Sequence, residues 1–173
     1  ALRNAGVHAR IMRALRLRDR NAESSDLSMA RRDRIKQHNV ILHRIKTHCF
    51  TLLYSFVRRN YSNQMLMHEN ISLFQDFLSH DLDAPGFQAL LKFLTALFEE
   101  NEELIRQISE QLVLQVASML DLAITAGESS SKVETFTDFL AAICVAQGKP
   151  VRANQQLVSR ILTDSRFAIT KRT

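Results

Sequence analysis

Between Phe139 and Leu162 the chain reads FLAAICVAQGKPVRANQQLVSRIL. An apolar segment runs to Val145 and stops at Gln147-Gly148-Lys149-Pro150; a second apolar-periodic segment begins near Ala153-Asn154-Gln155. Glycine at a helix end and proline just beyond it are stop signals, because glycine reaches the left-handed backbone that closes a helix and proline cannot continue one. The stretch predicts two helices meeting at a tight corner, and nothing in it has a catalytic pattern.

Composition extends this reading to the whole chain. Only 4 Gly and 2 Pro occur in 173 residues, against usual shares of roughly 7% and 5%. So few breakers, with 46% hydrophobic residues to build a core, point to an all-α fold. A first basic amphipathic helix is predicted over Ala1–Leu17, with Leu2, Val7, Ile11, Met12 and Leu15 apolar. After a polar loop, a long helix is predicted over 28–59. Its seam of Ile35, His38, Leu42, Ile45, Cys49, Leu52 and Phe56 alternates steps of 3 and 4, which keeps these residues on one face.

Further helices are predicted over 63–79, 87–100, 102–108, 110–125, 132–147 and 151–163, with a turn at Asp81–Gly86. Ser62-Asn63 and Ser109 are candidate caps. The helix over 110–125 is apolar nearly all round and is expected to be central and buried. Residues 1–163 read as a single domain, with 164–173 as a frayed tail.

The corners repeat. Arg58-Arg59-Asn60 leads into Asn63-Gln64, Glu99-Glu100-Asn101 into Leu104-Ile105, and Gln147-Gly148-Lys149 into Asn154-Gln155. The break residues Asn60, Asn101 and Gly148 lie 41 and 47 apart. A helical period of roughly 40–47 residues is that of HEAT and armadillo repeats, so the expected architecture is an armadillo/HEAT-like solenoid of about seven helices. Asn60, Asn63, Gln64, Asn101, Gly148, Lys149, Asn154 and Gln155 are read as corner residues that cap helices and pack repeats. Arg58, Arg59, Glu99 and Glu100 are the candidate interface.

Charge is segregated. Residues 1–60 hold 14 Lys/Arg against 4 Asp/Glu, residues 61–147 hold 3 against 13, and residues 148–173 hold 6 against 1. Such polarity points to interfaces with neighbouring protein. Nucleic acid is not the expected partner, since the basic stretch has no aromatic interleaving over residues 1–49 and no nucleic-acid motif.

No catalytic, metal or cofactor site is expected. His38, His43 and His48 are five apart, so successive imidazoles stand about 140° from one another on a helix, whereas metal pairs use i, i+3 or i, i+4. Glu99, Glu100, Glu102 and Glu103 lack the glycine of a calcium loop. His48 and Cys49 are adjacent and point apart, no glycine-rich phosphate loop exists, and Cys49 and Cys144 read as reduced core residues. The most apolar run, Leu112–Ile124, is too short to span a bilayer, which needs roughly 20 apolar residues. The chain opens on Ala1 and is expected to be an excerpt, with any membrane attachment outside it.

Three stretches carry a family resemblance: CFTLLYSFVRRNYSNQMLMHENISLFQDFL at 49–78, LFEENEELIRQISEQLVLQVASML at 97–120, and FLAAICVAQGKPVRANQQLVSRIL at 139–162. In this order the chain resembles the homology domain shared by ryanodine receptors and inositol trisphosphate receptors, over roughly residues 1–163. The resemblance implies a cytosolic α-solenoid segment of a large, tetrameric calcium-release channel of the endoplasmic reticulum. Such a segment would contact neighbouring domains of its own chain, and would neither bind inositol trisphosphate nor conduct ions. A soluble helical-repeat scaffold is the alternative.

Overall fold

The computed structural model describes residues 6–17, 29–78 and 86–164. Among them are nine helices rather than about seven: α1 (Val7–Leu15), α2 (Met29–Val57), α3 (Tyr61–His68), α4 (Ile71–Leu78), α5 (Phe87–Phe98), α6 (Glu102–Arg106), α7 (Glu110–Thr125), α8 (Ser130–Ala142) and α9 (Arg152–Thr163). Strands β1 (Val145–Ala146) and β2 (Lys149–Pro150) form a two-residue antiparallel ladder, with Val145 opposite Pro150 and Ala146 opposite Lys149. The fold is all-α. The predicted turn over 81–85, the start of the first helix and the tail beyond 164 lie outside the described residues.

The main helix contacts form a series: α1 on α2, α2 on α5, α5 on α8, α8 on α7, and α7 on α9. Each helix touches chiefly its neighbours, as a solenoid of stacked helical pairs does. The centre of the series is α5, which also meets α3, α4 and α6 and buries eight of its twelve residues. Its aromatic side chains join both halves. Phe93 meets Phe74 edge-on at 4.7 Å and Phe50 at 6.5 Å, while Phe98 meets Phe139 at 6.0 Å and Phe87 meets Phe136 at 5.5 Å. Such aromatic pairs add to the burial of their area.

Gly86 sets how closely α2 and α5 approach. Its φ is +106°, and a Cβ there would lie 2.8 Å from Thr47 Oγ1 and 3.3 Å from Thr47 Cα. Only a residue without a side chain fits that backbone and that space.

Four expectations are corrected by packing. The predicted α2 seam is rotated: Leu42, Cys49 and Phe56 are buried, but His38, Ile45 and Leu52 are exposed, and Phe50, Leu53 and Val57 take their place in the core. The helix carries two aliphatic stripes, and only one can face α5. The helix expected over 63–79 is two, α3 and α4, because the chain turns at Glu69-Asn70, where Asn70 N–H donates to Met67 O at 3.0 Å. Helix α7 is not the buried centre: Leu114, Leu122 and Ile124 are exposed, since α7 lies toward the flank of the series. The helix expected over 132–147 ends at Ala142, because Gln147 (φ 51°) and Gly148 (φ 72°) turn the chain into the β1–β2 hairpin. Positive φ at both central residues is the geometry of a two-residue hairpin turn.

Two outcomes follow from this core. Phe93→Ala is expected to lower stability by about 3–5 kcal/mol, and Leu122→Ala, at an apolar but exposed site, by no more than about 0.5 kcal/mol, both read from urea unfolding. Half-buried His68 stacks edge-on against Phe98 at 6.0 Å, and burial pushes its imidazole below the ordinary value. The folded state therefore binds fewer protons, so the His68 contribution is complete above the unfolded value of about 6.5 and declines as pH falls through the lower folded value. The urea midpoint should fall as pH drops below the unfolded value of about 6.5, and less so in His68→Gln.

Candidate functional site

The three corners lie side by side on one edge, and the first two are built from the same local parts. In the first, α2 ends at Val57 and Asn60 N–H donates to Val57 O at 2.9 Å, with Arg59 at φ 52°. In the second, α5 ends at Phe98 and Asn101 N–H donates to Phe98 O at 3.1 Å, with Glu99 at φ −52°, ψ 124° and Glu100 at φ 60°. The second is a type II turn, whose third residue needs positive φ and favours glycine. Arg59 and Glu100 therefore hold charged side chains where a Cβ costs about 1–2 kcal/mol.

The asparagines after these residues are helix caps. Asn60 Oδ1 accepts from Asn63 N–H at 3.1 Å, and Asn101 Oδ1 accepts from Leu104 N–H at 3.1 Å. Each satisfies one of the N–H groups that a helix start leaves without a partner. Thus Asn60, rather than Ser62-Asn63, caps α3, and Ser109 Oγ caps α7 by accepting from Leu112 N–H at 3.2 Å.

Three and four residues after the first cap come Asn63-Gln64, and at the same offsets from Val151, the N-cap position of α9, come Asn154-Gln155. The two asparagines act alike. Asn63 Nδ2 donates to Phe56 O at 2.7 Å, and Asn154 Nδ2 donates to Ile143 O at 2.8 Å. Both serve carbonyls that the end of the preceding helix leaves open.

Two side chains reach across to the neighbouring repeat. Gln64 is buried; its Nε2 donates to Ala96 O at 2.9 Å and Glu99 O at 3.0 Å, and its Oε1 accepts from Asn101 Nδ2 at 3.0 Å. Buried Asn154 Nδ2 also donates to Ile105 O in α6 at 2.8 Å. At the surface, Tyr61 O–H donates to Glu103, and Glu100 Oε2 accepts from Gln147 N–H at 2.9 Å. The second corner thus sits between the first and third, bonded to both.

The exposed charges follow the same order. Arg58 and Arg59 mark the first corner, Glu99, Glu100, Glu102 and Glu103 the second, and Lys149 and Arg152 the third. Arg58 also lies over the Tyr54 ring at 5.7 Å. Gln155 is exposed, with one long bond to Cys144 O at 3.4 Å. Gly148 and Lys149 form the hairpin rather than a helix end. Packing between repeats was expected of the corner residues as a group; that Gln64 and Asn154 reach across while Gln155 stays exposed was not distinguished in the sequence.

Nothing else among the described residues gathers chemistry. No group of three His, Cys, Asp or Glu is placed to hold a metal. Cys49 and Cys144 are free, and burial pushes both thiols up, away from the reactive thiolate. A shallow trough beside α9 is lined by Arg152, Gln155, Gln156, Ser159, Arg160 and Thr163, all from one helix. No described helix is long and apolar enough to cross a membrane.

This is a helical-repeat module with a hydrogen-bonded, charge-banded edge. Residues 1–169 match the RIH domain, and the chain belongs to that family, the helical domain of ryanodine-receptor and inositol trisphosphate-receptor calcium-release channels. The family is one of channel domains rather than of enzymes.

Gln64→Leu strands two carbonyls and the Asn101 amide in a buried site, and should cost about 2–3 kcal/mol. Gln155→Leu, at the matching but exposed position, should change the urea unfolding free energy by less than about 0.5 kcal/mol. Equal losses in the two variants would refute a bridging role for Gln64.

Proposed function

We propose that this chain is a cytosolic segment of a tetrameric calcium-release channel of the endoplasmic reticulum, and that it couples ligand binding to pore gating through contacts with neighbouring domains of the same large chain. One observation carries the reading. Arg59 holds an exposed charge at a left-handed backbone position that favours glycine, whereas Glu100, at the matching position, accepts from Gln147 N–H within the fold. Backbone strain is retained where the side chain has work to do. An exposed guanidinium at Arg59 contributes little to the stability of its own fold, so its work lies in contact with another surface.

The mechanism is mechanical. Packed helical pairs shift between discrete arrangements rather than deforming continuously, and bonded corners move as a unit. The basic, acidic and basic bands of the edge fix the register of the docked neighbour by electrostatic complementarity. No nucleic acid, cofactor or direct membrane contact enters this role.

Arg59→Gly tests it, because strain relief and lost contact move two readouts in opposite directions. The isolated chain should gain about 1 kcal/mol of stability. In the full channel, Arg58→Glu/Arg59→Glu should shift the ligand concentration for half-maximal calcium release by about 2- to 30-fold, with Arg59→Gly shifting it in the same direction. Ligand-evoked release unchanged in both variants would sink the coupling role.

A further inference from the structure

Helix α2 is 29 residues long, roughly 43 Å, while α5, which covers it, has 12 residues, roughly 18 Å. The first buried residue of α2 is Leu42. Beside the covered face runs the second aliphatic stripe. Ile41, Ile45 and Leu52 stand at i, i+4 and i+11, and they are 58%, 40% and 55% exposed. The stripe is roughly 16 Å long, three turns of helix. Arg34 and His48 fall on the same line, with Arg44 at its margin. Of the basic residues of the helix, Arg34 and Arg44 are the ones on or beside this line and both are exposed, while Lys46 lies over the Phe77 ring on the covered side; the single acid between 29 and 57 is Asp33.

We infer that this flank of α2 is a docking site for an acidic amphipathic helix, one whose aliphatic residues recur at i, i+4, i+7 and i+11 and whose margins carry Asp and Glu. A solvent-facing helix surface normally bears polar residues, and an aliphatic stripe at helical spacing is the footprint of a helix partner. Charge selects among the occupants. Two copies meeting through this flank would set like-charged helices against each other, whereas an acidic helix complements it. A bilayer surface suits the flank poorly, since the stripe is narrow and carries no aromatic anchor. The inference goes beyond the coupling role and stands on α2 alone, away from the corner charges used to test that role.

A labelled peptide of about 18 residues, five turns of helix, with Leu at i, i+4, i+7 and i+11 and Glu at the margins, serves as the probe in fluorescence anisotropy with the 173-residue chain. The peptide should bind, weaken with added salt, and bind Ile45→Glu/Leu52→Glu at least about tenfold more weakly. Both substitutions are at exposed sites, and unchanged circular dichroism would establish that the variant is folded. No binding, equal binding to the variant, or equal binding by a scrambled peptide overturns the inference. So does sedimentation of the chain with phosphatidylserine vesicles in the absence of peptide binding, which assigns the flank to a membrane surface.

Discussion

The Gln64 side chain sits where the first repeat meets the second, with both amide donors and its carbonyl engaged by groups from α5 and the second corner. Three polar groups that would otherwise lose water without replacement satisfy one another there. A fully satisfied buried network restricts the packing to one arrangement, because any slip of one repeat against the other strands several partners at once. The placement of α3 against α5 depends on it. So does the position of Asn101, which holds Gln64 with Nδ2 and caps α6 with Oδ1.

From that bridge the remaining edge follows. Asn101 starts α6, and α6 supplies the Ile105 carbonyl that receives Asn154 from the third repeat. Glu100, just before Asn101, receives the N–H of Gln147 in the hairpin turn. The corners are therefore bonded in series, and the charged residues on them are held at fixed spacing. Apolar contacts alone would hold the repeats together without fixing their register, since hydrophobic burial is non-directional. Directional bonds at the corners supply the register.

Much of this could be read along the chain. Ser109 as a cap and α7 over Glu110–Thr125 are matched residue for residue, because a capping side chain followed by an apolar periodic run is a local signal. The three breaks at Asn60, Asn101 and Gly148 are also local, and the family resemblance they carried is the family the chain belongs to. The rotation of the α2 seam was not legible. Ile41, Ile45 and Leu52 are as aliphatic as Leu42 and Leu53, and only the position of α5 decides which set is covered. The end of α8 at Ala142 was missed because Ile143, Cys144 and Val145 continue an apolar run, and a short β-ladder has no periodicity long enough to read.

The sequence by itself determined the helical class, the number and spacing of the corners, and the charge bands upon them. These depend on residues close in the chain: caps, breakers, and the 3.6-residue rhythm of apolar side chains. Only the tertiary structure decided that α5, rather than α7, is the centre, that Gln64 and Asn154 reach across repeats while Gln155 stays at the surface, and that one flank of α2 is left uncovered. Those outcomes rest on contacts between residues tens of positions apart. Burial and hydrogen-bond satisfaction at such distances depend on which surfaces meet, and no local pattern records that.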